Sequence, residues 1–215
     1  MVRRKLRKQQ IMQSAIEVFG KSSYQKANIS EIARKAGIAE GTIYQYFKSK
    51  QDLFFSISLE KTKDFCKQID LNLEGVTGAL GKIRKLVWYY LYYFKSNPDY
   101  VRSFMLEMRV NRDFVKSRSY KSFRALSKQT LQILEEGKAE GIIRNDVDIY
   151  LARHLLLGTL EHIVTRWLLK GEKYDIMQLH EQVSDLVLNG ICSQTGQGIV
   201  AAHEQPIVGS ESTDP

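Results

Sequence analysis

The sequence predicts an all-α fold of about nine helices, on three observations. Only three prolines occur in 215 residues, and none precedes Pro98, so helix breakers are scarce. Apolar residues recur at three-to-four spacing along most of the chain, the period of a buried helix face. No stretch alternates apolar and polar residues with the period of two that a half-buried strand needs. Hydrophobic residues make up 43% of the chain and charged residues 26%, an ordinary globular balance with material for a real core.

The elements follow in order. Leu6, Ile11, Ala15, Val18 and Phe19 make one amphipathic helix, expected to stop near Gly20. Asn28 and Glu31 form a capping-box pair ahead of a short helix that Gly37 ends. A second short helix carries Glu40 to Phe47. Ser49 and Asp52 cap a longer helix running toward Asp70. Thr77 is expected to cap a helix to about Lys95, and Asn97-Pro98 opens the next, with proline at the first helical position. A long helix spans roughly Val115 to Ala139 and stops at Gly141. Asp148 caps a helix to about Lys170, and the last runs from about Tyr174 to Gly190. Residues 193–215 read as a polar, disordered tail. The chain divides into 1–50, 51–192 and that tail.

Charge is distributed unevenly. The formal net charge is +8, and residues 1–50 hold eleven Lys/Arg against three Asp/Glu, while the rest of the chain holds twenty-one of each. Such asymmetry points to a polyanion partner for the first quarter, with a solvated basic tail or a membrane-surface helix as alternatives. The longest apolar run, Leu86 to Phe94, is nine residues. That is half of what a bilayer span requires, so no membrane role is expected. Cys66 and Cys192 are too few for a disulfide framework, and with no apolar signal segment the expected compartment is the reducing cytoplasm. His154, His162, His180 and His203 lack metal-ligand spacing, and no phosphate loop or nucleophile elbow occurs. No enzyme, metal or cofactor is therefore expected.

Helix, glycine turn and helix within twenty residues form a helix-turn-helix signature. Ile32, Ala33, Ile38, Ile43 and Phe47 can bury the pair against the first helix. Gly41, Thr42, Tyr44, Gln45 and Tyr46 are then presented outward, where Thr, Gln and Tyr can bond phosphates or base edges. Gly41 allows close backbone approach, and Lys48 and Lys50 flank the helix end to meet phosphates. The alternative is the polar face of a small bundle, against which the charge asymmetry weighs.

The segment from Asn28 to Leu53, with the helix before it, resembles the DNA-binding segment of TetR-family bacterial transcriptional regulators over about residues 8–55. The resemblance implies a two-domain homodimer that binds a pseudo-palindromic double-stranded operator and leaves it when a small molecule fills the larger domain. It also implies DNA contacts at Ser30, Thr42, Tyr44, Tyr46, Lys48 and Lys50, with base reading at Gln45. Ala39 departs from the pattern, where a capping Ser is common, at a cost of about 1 kcal/mol to the helix start.

The second half is similar, at Leu106–Arg109, Gly158–Glu161, Val164–Trp167 and Lys173–Asp175, to the subgroup that represses fatty-acid degradation genes and responds to long-chain acyl-CoA. A hydrophobic effector is consistent with the aromatic run Trp88, Tyr89, Tyr92 and Tyr93. Phe104, Met105, Met108, Phe123, Leu126 and Leu131 are expected to face it and Arg109 to take the anionic end. Ordinary core packing is the competing reading of each apolar position. An efflux or stress regulator sensing another hydrophobic molecule is the alternative function, and a constitutive DNA binder with a solid core is a third. The stretch Ile149–Leu168 is apolar almost all round, so it needs covering on several sides. Leu155, Gly158, Thr159, His162, Leu179, Val183, Leu186 and Val187 are the expected dimer contacts, in a four-helix bundle.

Overall fold

The computed structural model describes residues 2–194 and 196–198, except for the side chain of Phe123. Among the described residues nine α-helices follow one another: α1 (Val2–Lys26), α2 (Ile29–Lys35), α3 (Glu40–Tyr44), α4 (Lys50–Leu73), α5 (Ala79–Ser96), α6 (Pro98–Ser103), α7 (Arg118–Ala139), α8 (Ile149–Leu169) and α9 (His180–Ile191). The described residues hold one isolated bridge, Ile143 to Cys192, and no strand. The all-α expectation is met, and among the described residues no helix is long and apolar enough to cross a membrane.

Local chemistry sets most helix starts. Asn28 Oδ1 accepts the Glu31 amide at 2.7 Å and Asp148 Oδ1 the Tyr150 amide at 2.7 Å. Ser49 Oγ accepts the Asp52 amide at 3.1 Å while Asp52 Oδ2 accepts the Lys48 amide at 2.8 Å, a reciprocal capping arrangement. Each such cap satisfies an amide that has no partner within the helix. Gly37, at φ +62, sits in the left-handed region that favours glycine, and the Ile38 amide reaches back to the Ala33 carbonyl at 3.1 Å to close α2.

Four boundaries differ from the expectations. The first helix passes Gly20 and breaks only at Ser23, which has φ 67 and ψ 156. Gly20 is instead a crossing point, where α1 lies against Asp99 of α6. Thr77 does not cap α5. The helix starts after Gly78, and the Ala79 amide donates to Glu140 Oε2 at 2.9 Å. α3 ends at Tyr44, and a tighter turn leads on to Phe47, with the Tyr46 amide bonded to the Ile43 carbonyl at 2.9 Å. A 3₁₀ turn, Ile176–Leu179, delays α9 until His180.

α1, α2 and α3 pack around Ile11, Phe19, Ile32, Ile43 and Phe47. α4 leaves this unit and joins α5, α7 and α8 in a second, larger bundle, with α9 laid on α5. Arg84 of α5 and Asp185 of α9 fix that last contact at 2.6 Å. After α6 the chain continues as a π turn, Phe104–Met108, in which the extra residue per turn is closed by the Arg109 amide on the Phe104 carbonyl at 3.0 Å. The expected tail starts with contacts to the domain: the Ser193 amide donates to the Ile142 carbonyl at 2.8 Å and its hydroxyl to the Gly141 carbonyl at 2.7 Å. The rest of that expectation, residue 195 and residues 199–215, lies outside the described residues.

Candidate functional site

The first region of interest is the outer face of α3. Ile43 and Phe47 anchor the helix from below, so Gly41, Tyr44, Gln45 and Lys48 stand exposed, Tyr44 at 52%, with Thr42 and Tyr46 half-buried beside them. A Cβ on Gly41 would meet no atom within 4 Å, so packing within the protein does not require glycine there. Ala39 makes no side-chain bond to the first turn of α3. Ser30 is exposed at the start of α2, its hydroxyl donating to Asn28 Oδ1 at 2.8 Å.

Lys50 is placed differently from expectation. Its ammonium donates to the carbonyls of Tyr24 at 2.8 Å and Ala27 at 2.9 Å, and lies 4.5 Å from the centre of the Tyr24 ring. The carbonyls at the end of α1 are the partners it reaches, so it clamps α4 to α1 instead of facing outward.

One contribution was not assigned from sequence beyond its charge. Arg3, Arg4 and Arg7 of α1 line an open groove together with Gln10, Gln45 and Tyr46. The Arg4 guanidinium lies 5.9 Å from the Tyr46 ring centre, and Gln10 ties α1 to the Ala36 carbonyl at 2.8 Å. Basic residues from the chain start and polar residues from α3 therefore form one continuous surface suited to a polyanion and to base edges. If Gln45 reads bases and Lys48 meets phosphate, Gln45→Ala alters sequence preference. Lys48→Ala then weakens all sites alike and flattens the salt slope by about one unit. Binding titrations on specific and random duplexes at several salt concentrations check this, and equal losses on both duplexes for both variants would refute the division of roles.

The second region is the interior of the larger bundle. Phe65 of α4 is ringed by Tyr89, Tyr90, Tyr93 and Phe94, with centroids 4.7 to 5.8 Å away. Tyr90 stacks on Phe94 at 4.4 Å, while Phe104 lies beside Tyr100 and Phe114. Met105, Met108 and Leu126 are buried nearby, and Leu131 is half-buried. Burial pushes the Tyr89 hydroxyl up to about 12 and raises Tyr93 and Tyr90, the latter with the Glu161 carboxylate adding and Arg109 opposing. These phenols stay neutral donors at physiological pH.

Trp88 and Tyr92 lie at the edge of that interior, Trp88 half-buried against it. They stack on each other at 5.1 Å on the outer side of α5, Tyr92 is 47% exposed, and Lys85 lies 4.4 Å from the Trp88 ring centre. The aromatic residues of α5 spread over most of its circumference, so the helices packed on it, α4, α7, α8 and α9, decide which rings are covered. The expected contribution of Phe123 lies outside the described side chains.

A cleft of about 380 Å³ opens at the edge of this interior. It is lined by the polar Arg109, Tyr120, Arg124, Arg153, His154 and Glu161 and by Leu126, Leu157 and Gly158. Arg109 Nη2 lies 2.6 Å from Glu161 Oε2 and Nη1 lies 3.7 Å from Met105 Sδ. Arg124 and Arg153 went unassigned in the sequence, although Lys121, Arg124 and Lys128 form a basic stripe at three-to-four spacing on α7.

The expected dimer residues divide. Leu155, Gly158, His162 and Leu186 are exposed, Leu186 at 77%, and Thr159 and Leu179 are half-buried. Val183 and Val187 turn inward, at 6% and 3% exposure, and belong to the core of the protomer. The apolar stripe on α9 has two sides, and α5 covers that of Val183 and Val187.

Comparison with known proteins covers the chain nearly end to end. Residues 11–57 match the family model of bacterial regulatory proteins of the tetR family, and residues 59–190 match the C-terminal region of YsiA-like proteins. The fatty acid metabolism regulator protein of Bacillus subtilis is 29% identical over 85% of this chain and 94% of its own length. The fatty acid degradation regulator FadR from Bacillus halodurans is 30% identical, with a TM-score of 0.81 over 86% of this chain and 95% of that one. The transcriptional regulator FadR from Bacillus subtilis, solved in complex with stearoyl-CoA, is 29% identical, with a TM-score of 0.80 over 85% and 98%.

Proposed function

The chain belongs to the tetR family of bacterial regulatory proteins, and from that premise we propose that it is a repressor released from its operator by long-chain fatty acyl-CoA. In this reading residues 1–50 read DNA, and residues 51–192 hold the effector and the dimer contacts. Two copies, joined through α8 and α9, would set their α3 helices in successive major grooves of a pseudo-palindrome.

The observation that carries the effector assignment is the cleft between α7 and α8. Three arginines, Arg109, Arg124 and Arg153, line it together with the apolar Leu126 and Leu157. That is the polarity of an acyl-CoA, a polyphosphate at one end and a hydrocarbon at the other. The similar Bacillus subtilis FadR was solved with stearoyl-CoA, a ligand of that chemistry. The chain would extend toward Leu126, Met105 and Met108, whose side chains adapt to a flexible guest.

Titrating acyl-CoA of increasing length into a complex with an operator selected in vitro tests the proposal. Each buried methylene contributes about 0.8 kcal/mol, so potency rises roughly fourfold per carbon until the space is filled, then falls. Arg109→Ala and Arg153→Ala are expected to weaken acyl-CoA much more than the free fatty acid. DNA that stays bound at every length, with no heat of binding in calorimetry, would refute an acyl-CoA effector.

A further inference from the structure

We propose that Glu107 is the residue that positions the DNA-reading domain according to the state of the cleft, an inference that rests on the polyanionic effector assigned above. Glu107 Oε2 accepts the backbone amide of Tyr24 at 2.7 Å, a bond from the π turn to the last residues of α1. The helical partner of that amide would be the Gly20 carbonyl, which takes Arg102 Nη1 at 3.1 Å. α6 and its π turn thus supply side chains to both halves of one helical hydrogen bond of α1, at the point where Ser23 carries the strained φ of 67.

The contact continues into α4. The Tyr24 carbonyl accepts Lys50, the first residue of α4, at 2.8 Å, and the Tyr24 ring stacks on Phe54 of α4 at 4.5 Å. Whatever moves Tyr24 moves the junction of α1 with α4, and with it the base on which α3 rests.

At the other end, Arg109 stands two residues beyond Glu107 and pairs with Glu161 in the cleft wall. The Arg109 amide is also the group that closes the π turn on Phe104. One short segment therefore carries a cation facing the effector and an anion holding the DNA-reading domain. A polyphosphate in the cleft competes with Glu161 for the Arg109 guanidinium. As Arg109 shifts, the π turn, which holds one residue more than an α turn, changes register and withdraws Glu107 from Tyr24. The π turn is the two-state element that both sites bias.

Three measurements on full-length Glu107→Ala and Glu107→Gln test this, each compared with the natural chain: operator affinity without effector, palmitoyl-CoA affinity without DNA, and operator affinity at saturating palmitoyl-CoA. Glu107→Ala is expected to lose at least about tenfold in operator affinity, to hold palmitoyl-CoA as well as before or better, and to lose less than about threefold more on adding it, since the coupling between sites is reciprocal. Glu107→Gln still offers an oxygen to the Tyr24 amide and is expected to respond like the natural chain. The proposal is overturned if Glu107→Ala keeps natural operator affinity and response, or if both of its affinities fall together. Failure of palmitoyl-CoA to bind the natural chain overturns the effector assignment instead, and the contrast between the Ala and Gln variants without effector still decides the role of Glu107.

Discussion

Val183→Asp is expected to destabilise the protomer strongly, whereas Leu186→Glu, three residues along the same helix, leaves it folded and single. Val183 is buried against the core at 6% exposure, and an aspartate there would be an uncompensated charge in an apolar interior. Such a charge costs about 3–5 kcal/mol, a large part of the roughly 5–15 kcal/mol that holds a domain together. Leu186 stands 77% exposed at the outward edge of α9, so a glutamate there changes protomer stability by less than about 0.5 kcal/mol. In the proposed dimer the same glutamate meets its symmetry mate across an apolar contact, and the two half-sites are no longer read together. Thermal denaturation and sedimentation at micromolar concentration separate the outcomes. A fully dimeric Leu186→Glu would place the interface elsewhere, and a stable Val183→Asp would contradict the packing of α9 on α5.

Gly20→Val is expected to force the two domains apart. A Cβ at Gly20 would stand 2.6 Å from Asp99 Cβ and 2.7 Å from its Cα, and neither atom is the free end of a flexible side chain. α1 and α6 must separate to admit it, which strains the Arg102 bond to the Gly20 carbonyl and the Glu107 bond to Tyr24. Overpacking of this kind costs about 1–3 kcal/mol, and each kcal/mol lowers Tm by roughly 2–4 °C in a chain of this size. The same variant should bind operator more weakly, because the crossing it disrupts joins the two domains. Gly41→Val is the control for Tm, since a Cβ there meets nothing within 4 Å and the position lies away from the α1–α6 crossing and the proposed dimer contacts. Equal Tm values for the two variants, measured by calorimetry, would show that the crossing tolerates the extra bulk.

The helix-turn-helix was legible because its determinants are local. Asn28 reaches an amide three residues on, Gly37 supplies its own left-handed turn, and the Ile43 and Phe47 pattern repeats within a few residues. The charge excess of the first quarter needs no structure at all. What the sequence could not assign are the choices made by distant partners. α5 is apolar almost all round, and the helices packed on it, α4, α7, α8 and α9, decide that Tyr90 and Phe94 are buried while Trp88 stays half-buried and Tyr92 exposed. α9 has two usable apolar sides, and α5 takes the one with Val183 and Val187. Lys50 reads as a phosphate ligand until the carbonyls of Tyr24 and Ala27 come within 3 Å of it. Gly20 reads as a helix stop until Asp99 is seen against it. Spacing along the chain fixes which residues share a helix face, but which face is covered depends on contacts made dozens of residues away, and the tertiary packing alone brings those together.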